Sequence, residues 1–176
     1  MNFENFIKKA IDALNESKVK YVVIGGIAAI FYGRARTTMD LDVVILVKEG
    51  GIERLVNSLK KNKFEADLDE IKKSLKEKTH ITIFLKNSPY RIDLKGIYTS
   101  LDQASIRRRR KIKLFGRNVW IESPEDIVIA KLVYGSQQDL EDAKAILIKQ
   151  KLDLNYLFKR AKEEKVFKKL KRLMKM

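Results

Sequence analysis

The stretch between Tyr21 and Val47 restricts the fold of this chain more than any other part of the sequence. It reads YVVIGGIAAIFYGRARTTMDLDVVILV, which predicts a strand over 20–24, a two-glycine turn, a short helix over 27–32 and a second strand over 38–47. Asp40 and Asp42 lie two residues apart inside the second strand. Because side chains in a strand alternate with a period of two, both carboxylates point to one face of the sheet.

Two carboxylates on one face indicate a bound cation, since like charges raise each other's pKa. Divalent ions such as Mg²⁺ prefer carboxylate oxygens as ligands. Gly25 and Gly26 lie where the chain leaves the first strand. Such a turn can bring backbone N–H groups to the start of a helix, where they form an anion site. An anion site beside a metal site predicts a binding site for a nucleoside triphosphate.

The glycines and aspartates together resemble the signature of the nucleotidyltransferase superfamily, which has the polymerase-beta-like fold. That signature is a hydrophobic residue and two glycines, thirteen further residues, and then Asp–hydrophobic–Asp–hydrophobic. The longer string GGIAAIFYGRARTTMDLDVVI is similar to the minimal nucleotidyltransferases related to the toxins of abortive-infection toxin–antitoxin systems. The resemblance implies an α/β (α+β) fold with a small mixed β-sheet, packed helices and a C-terminal helical segment.

The same resemblance implies an activity and a cofactor. The activity is transfer of a nucleoside monophosphate from an NTP to an acceptor hydroxyl, with Mg²⁺ or Mn²⁺ held by Asp40 and Asp42. Gly25 and Gly26 are then expected to contact the phosphates. RNA such as tRNA, a protein hydroxyl and a small molecule remain open as acceptors. A binding module for nucleotides or RNA with the same fold and little catalysis is the alternative from another class.

A third aspartate lies in another predicted strand. The segment YRIDLKG over 90–96 places Asp93 between Ile92 and Leu94. A carboxylate between two apolar neighbours needs a partner, and Arg91 or Lys95 could supply one. The resemblance instead implies that Asp93 is the third carboxylate of the metal site and a catalytic residue.

The segment over 123–147 resembles the helical region of the same relatives, in which a lysine and a downstream aspartate recur. The resemblance implies that Lys131 and Asp139 bind the nucleotide. Each also has a structural alternative, because a lysine can extend to the surface and an aspartate can cap the following helix. Relatives often carry a basic residue immediately before this aspartate, and Gln138 departs from that pattern.

The loop before the two aspartates adds candidate phosphate contacts. Arg34, Arg36 and Thr37 lie there, and we assign Arg36 and Thr37 to the nucleotide site, with plain surface solvation of the arginines as the alternative. The only histidine, His80, begins a predicted strand and is interpreted as structural.

The net charge of +15 is concentrated in two segments. Residues 105–117 hold seven basic residues and no acidic one, and residues 159–176 hold nine basic and two acidic ones. Localised positive charge favours a polyanionic partner. We therefore predict RNA binding through Arg107, Arg108, Arg109 and Arg110 and through a basic C-terminal helix over 154–174. Solvated surface charge is the alternative, and the toxin resemblance adds a cognate antitoxin as a partner.

The length of 176 residues predicts one compact unit. Within it we expect a nucleotidyltransferase core over 1–122 and a helical segment over 123–176. There is no run of about 18 uncharged apolar residues, no signal-peptide pattern and no cysteine. The sequence therefore predicts a cytoplasmic protein that does not enter a membrane.

Overall fold

The computed structural model describes residues 2–48 and 50–175. Those residues form six strands and nine helices, in the order α1 Phe3–Glu16, β1 Lys20–Val23, α2 Gly25–Tyr32, β2 Asp40–Leu46, α3 Gly51–Lys61, α4 Leu68–Lys76, β3 Ile81–Phe84, β4 Arg91–Lys95, α5 Ser100–Arg108, β5 Arg110–Leu114, β6 Arg117–Ile121, α6 Pro124–Tyr134, α7 Gln137–Lys149, α8 Leu154–Glu163 and α9 Phe167–Met174.

The strands of the described residues form one mixed sheet in the order β3-β4-β2-β1-β6-β5. β2 pairs with β1 antiparallel and with β4 parallel, and β1 pairs with β6 parallel. The antiparallel hairpins β3–β4 and β5–β6 supply the two edges. This confirms the predicted mixed α/β fold. It also places β2, the strand that carries Asp40 and Asp42, in the interior of the sheet.

One face of the sheet is covered by the main hydrophobic core. The inward residues of β2 and β4 are fully buried there, among them Leu41, Val43 and Ile92. The apolar side of α1, including Phe6 and Ile7, belongs to the same core. Since neighbouring residues in a strand alternate, Asp40, Asp42 and Asp93 point to the opposite face.

Helix α5 packs on that opposite face. Val22, Val44 and Ile106 form a second small cluster there, which joins α5 to β1 and β2. Helices therefore cover both faces of the sheet. Val22 and Val44 are apolar on the same face as the aspartates, and burying them stabilises α5 in this position.

The basic C-terminal segment differs from the single helix that was predicted. Helix α8 ends at Glu163 and α9 begins at Phe167, with Lys165 in a left-handed conformation at φ 60° between them. The backbone N–H of Val166 donates to the Ala161 carbonyl at 2.8 Å, which closes the last turn of α8. The turn lets Val166 and Leu170 reach the core.

Two segments follow α3. Phe64 forms an isolated β-bridge with Leu85. The charged segment after it forms the regular helix α4, which is anchored in the core by Ile71.

The main core continues from the sheet into the last helices, where Leu157 and Leu170 are fully buried. The division between 1–122 and 123–176 stays a prediction. Over residues 2–48 and 50–175, every helix is too short or too polar to span a membrane.

Candidate active site

Three strands present two rows of side chains on the sheet face opposite the main core. The pairing registers place the rows as Thr82–Asp93–Asp42 and Phe84–Arg91–Asp40, each running from β3 across β4 to β2. The structure therefore brings the three predicted aspartates to adjacent positions on one face.

The carboxylates of Asp40 and Asp93 are held by hydroxyl groups and by one arginine. Thr38 Oγ1 donates to Asp40 Oδ1 at 2.5 Å, and Thr82 Oγ1 donates to Asp93 Oδ1 at 2.6 Å. Arg91 Nη2 lies 3.0 Å from Asp40 Oδ2, and Arg91 Nε lies 3.6 Å from Asp93 Oδ2. Arg91 thus bridges two of the three carboxylates as a counterion.

The third carboxylate, Asp42, lies deeper and against the glycine turn. Burial raises the pKa of Asp42 to about 6, and the neighbouring charge of Asp40 adds to the shift. The Gly26 N–H faces Asp42 Oδ2 at 3.5 Å. Gly25 has φ +64°, and a Cβ atom there would lie 2.2 Å from Asp42 Oδ2. Only glycine allows this close approach of the turn to the carboxylate.

The donor set is suited to a hard divalent cation, because all of its ligand atoms are carboxylate oxygens. Within residues 2–48 and 50–175, no three acidic or histidine side chains are gathered closely enough to hold a metal as they stand. The guanidinium of Arg91 takes the place of a cation between Asp40 and Asp93. These residues fit Mg²⁺ or Mn²⁺ if the metal ion displaces the Arg91 guanidinium from the carboxylates of Asp40 and Asp93.

Helix α2 begins at Gly25, two residues earlier than the sequence predicted. Its N-cap residue is Ile24, whose side chain makes no capping hydrogen bond. The first N–H groups of a helix have no partner within the helix. The start of α2 therefore offers N–H groups that its N-cap residue does not cap, although that of Gly26 faces Asp42, and it places the positive end of the helix dipole beside that carboxylate.

These elements enclose one cleft with a volume of about 490 Å³. Its lining combines both glycines, the three aspartates and several cations, namely Ile24, Gly25, Gly26, Arg36, Thr38, Asp40, Asp42, Val43, His80, Asp93, Lys95, Lys131, Tyr134 and Gln138. Of the residues predicted to bind the nucleotide, Thr37 and Asp139 do not line it. Thr37 is exposed, and its neighbour Thr38 faces the cleft instead.

Lys131 is not extended to the surface. It is 8% exposed, and its Nζ lies 2.6 Å from Asp139 Oδ1 and 3.3 Å from Asp142 Oδ2. Arg36 Nη2 reaches the same Asp142 oxygen at 3.3 Å. With its amide oriented toward the guanidinium, Gln138 accepts from Arg36 Nη1 at 3.0 Å. Two cations are thus held at the cleft by one buried carboxylate.

Asp139 combines the two roles that the sequence left open, although it is not the helix cap itself. Ser136 is the N-cap of α7, and Asp139 is the third residue of a capping box with it. Burial works to raise the pKa of Asp139, but hydrogen bonds from Lys131 and Ser136 outweigh it and hold the pKa below its usual value. Asp139 therefore does not line the cleft itself, but it holds the ammonium group of Lys131, which does.

Sequence reasoning did not identify Asp142, Thr38 or Arg91 as functional. Asp142 follows Asp139 at a spacing of three on a helix, which places both on one side. Arg91 precedes Asp93 by two in a strand, so both share a face. Both spacings can be read from the sequence, so they could have identified Asp142 and Arg91 as neighbours of the site. His80 was interpreted as structural, and it lines the cleft.

The four consecutive arginines predicted to bind RNA are largely engaged within the protein. Three of them contact its own aromatic or acidic side chains: Arg108 lies over the Tyr156 ring, Arg109 lies over the Trp120 ring, and Arg110 pairs with Glu125. Arg108 also lies 3.5 Å from Asp126. Arg107 is exposed. This run has a structural role that its charge alone did not reveal.

A family model described as "Nucleotidyltransferase of unknown function (DUF6036)" matches residues 2–175 of the chain. No curated protein matches the chain. The fold is similar to that of an antigenic nucleotidyltransferase-like protein from Paracoccidioides brasiliensis, with a TM-score of 0.54 and 22% identity, over 98% of this chain and 90% of that one. It is also similar to ANT(2″)-Ia in complex with adenylyl-2″-tobramycin, with a TM-score of 0.59 and 14% identity, over 91% of this chain and 95% of that one.

Proposed function

We propose that this chain, which belongs to the DUF6036 family of nucleotidyltransferases, moves a nucleoside monophosphate from an NTP to an acceptor hydroxyl with a divalent metal ion. One observation carries the proposal. The face that holds Asp40, Asp42 and Asp93, the uncapped start of α2 and the buried cation Lys131 all border a single cleft.

The nucleotide occupies the side of the cleft formed by α2, α6 and α7. The N–H groups of Gly25 and Gly26 donate to phosphate oxygens at the positive end of the helix dipole. Arg36 and Lys131 add two cations, which Asp142 holds in place. Because Lys131 and Asp142 are buried, the cluster is preorganised, and little reordering is needed when the triphosphate binds.

The three aspartates would hold the metal ion, and a bound divalent cation would neutralise the charge of the triphosphate and help to align it for in-line displacement. Asp93 lies at the outer side of this set and accepts the proton of the acceptor hydroxyl. The acceptor oxygen then forms a bond to the α-phosphorus, and the bond from that phosphorus to the bridging oxygen of pyrophosphate breaks. The nucleoside monophosphate remains on the acceptor.

A nucleic acid is the acceptor that the charge of the chain favours. Lys169 of α9 donates to the Leu132 carbonyl at 3.2 Å, which places the basic C-terminal helix beside the end of α6. Tyr134, at that end, lines the cleft and is 67% exposed. The basic surface of α9 therefore begins close to the cleft mouth. A basic surface beside the cleft mouth can make non-specific contacts with phosphates, which favours RNA or another polyanion as the acceptor.

Transfer of label from each α-labelled NTP in the presence of Mg²⁺ or Mn²⁺ and total tRNA tests the function. We expect label on RNA with the wild-type protein and none with Asp40→Ala or Asp42→Ala. Label on the protein itself would redirect the acceptor to a protein hydroxyl. NTP binding without any transfer would favour a binding module, and absence of NTP binding would contradict the site.

A role as the toxin of a toxin–antitoxin pair is a further part of the proposal and needs its own test. We expect that induced expression of the wild-type chain stops bacterial growth, while the Asp40→Ala variant at the same level does not. Equal growth with both would contradict a toxic activity and leave the transferase proposal standing.

A further inference from the structure

The row Phe84–Arg91–Asp40 extends from the edge of the sheet to the metal-site aspartates. Residues directly opposite each other on neighbouring strands point to the same face. Phe84 and Arg91 therefore lie on the catalytic face. Neither residue lines the cleft that holds the glycine turn and Lys131. They form a separate surface directly beyond the aspartates.

Phe84 is an unusual residue for this position. It is 45% exposed on the edge strand β3, although the next residue on each side faces the core or its rim. Among residues 2–48 and 50–175, no other aromatic ring packs against it. Arg91, with a side chain 31% exposed, lies between Phe84 and Asp40 in the strand register, and its guanidinium contacts Asp40.

The direction of the reaction assigns a role to this surface. In the strand order β3-β4-β2-β1, the glycine helix α2 follows β1, so the nucleotide lies on one side of the aspartates and Phe84 on the other. Displacement at the α-phosphorus is in line, so the acceptor oxygen enters opposite the departing pyrophosphate. The acceptor therefore approaches across β4 and β3.

An exposed ring beside an arginine has a defined chemistry. Aromatic side chains stack on nucleobases with little sequence preference, and arginine pairs with phosphate. Lys95 and His80 also line the cleft, and Lys95 is paired with the buried Asp102 at 2.7 Å. The exposed ring and the guanidinium together therefore suit a nucleobase and its neighbouring phosphate.

We infer, on the basis of the proposed function, that Phe84 and Arg91 form the acceptor site, and that the acceptor is the end of a single-stranded nucleic acid. A base at that end stacks on Phe84. A phosphate near it pairs with Arg91, whose present partners Asp40 and Asp93 turn to the divalent cation when one binds. The hydroxyl of the terminal nucleotide then lies next to Asp93.

Binding of a short single-stranded RNA with a free 3′ hydroxyl and a fluorescent label at its 5′ end tests this inference. Fluorescence anisotropy is measured with Mg²⁺ and an NTP analogue that cannot react. We expect Phe84→Ala to weaken RNA binding about tenfold, as for the loss of one stacked base, and Phe84→Trp to retain it. Arg91→Gln should weaken binding and reduce the dependence on salt by about one phosphate contact.

The other edge of the sheet supplies matched controls. Phe115 is 41% exposed at the tip of the β5–β6 hairpin, and Arg117 pairs with Asp12 at 2.8 Å. We expect Phe115→Ala and Arg117→Gln to change RNA binding less than twofold. Equal losses in Phe84→Ala and Phe115→Ala would overturn the inference, because they would indicate unspecific contact with exposed rings.

Nucleotide binding separates a failure of this inference from a failure of the proposed function. Titration with a fluorescent NTP should give the same affinity for the wild type and Phe84→Ala. If label is transferred to RNA and the KM for RNA is unchanged in Phe84→Ala, the acceptor site is wrong and the transferase function stands. If the wild type binds no NTP, both are overturned.

Discussion

Asp42 and Asp93 are direct partners across the parallel strands β2 and β4. Like charges in directly opposite positions destabilise a sheet, and burial together with the charge of Asp40 raises the pKa of Asp42 to about 6. The metal-free protein carries this cost in the middle of its sheet. A divalent cation between the strands would offset it, so the arrangement ties stability to the proposed function.

Asp42→Asn should therefore stabilise the metal-free protein while it removes metal binding. The folded pKa is raised from 3.8, so the unfolded chain loses its proton first, and stability falls as the pH rises from about 4 to about 6. At neutral pH we expect a gain of about 3 kcal/mol in the free energy of unfolding. Urea unfolding in a chelator measures the gain, and Mn²⁺ titration measures the lost binding.

The surface substitution Asp12→Asn is the control for that experiment. It removes an exposed ion pair with Arg117, so it should change the free energy of unfolding only slightly. A loss of stability in Asp42→Asn as well would contradict repulsion among the aspartates.

Gly25→Ala should destabilise the protein more than Gly116→Ala does. Both glycines have positive φ, at +64° and +79°, so both substitutions carry a similar backbone cost of about 1 kcal/mol. A Cβ at Gly25 would lie 2.2 Å from Asp42 Oδ2, whereas one at Gly116 would meet nothing within 4 Å. Thermal unfolding of both variants measures the difference. Equal melting temperatures would mean that the turn does not approach the Asp42 carboxylate closely enough to exclude a Cβ atom at Gly25.

Lys131→Met should lower both stability and NTP affinity. It removes one of two cations from Asp142, which is fully buried, and breaking such a pair costs about 3 kcal/mol. In the double variant Lys131→Met/Asp142→Asn, part of the stability should recover, because the buried carboxylate that lost one of its two cations is gone, although Asp139 still lacks Lys131. NTP affinity should not recover. Chemical unfolding and NTP titration separate the two effects. Failure of the double variant to recover stability would contradict the pairing.

Much of the fold was predictable because local patterns and the tertiary structure agree. The alternation in β2 placed Asp40 and Asp42 on one face, and the family resemblance added Asp93, which the structure brings beside them. The register between the strands could not be predicted in the same way. It depends on which strands become neighbours, and the parallel pairing of β2 with β4 joins residues about fifty positions apart.

The features that the sequence did not reveal also have physical causes. The run of arginines at 107–110 was predicted to bind RNA, which stays a prediction, but aromatic rings and acidic residues distant in sequence contact Arg108, Arg109 and Arg110. Charge in a sequence does not reveal its partners. Asp142 was overlooked because its role arises only when α7 is packed against α2 and α6, which brings Arg36 and Lys131 to it.

Glu122 is a buried carboxyl behind the glycine turn. It is 3% exposed and lines a small cavity of about 60 Å³ that also borders Gly25 and Lys131. Burial raises the pKa of Glu122 to about 8, against the hydrogen bond from Ser105 and the positive charge of Lys95, and the charges of Asp126 and Asp102 add to the rise. At neutral pH the folded protein therefore favours the protonated form.

Glu122→Gln should raise stability only above the pH at which a free glutamate ionises. The wild-type unfolded chain loses this proton near pH 4.5 and the folded one near pH 8, so between them the wild type loses up to about 1.4 kcal/mol per pH unit. Glutamine carries no such proton. Urea unfolding of both proteins across this range should give curves that coincide below about pH 4.5 and then diverge in favour of Glu122→Gln. Parallel curves would mean that Glu122 is buried in its charged form.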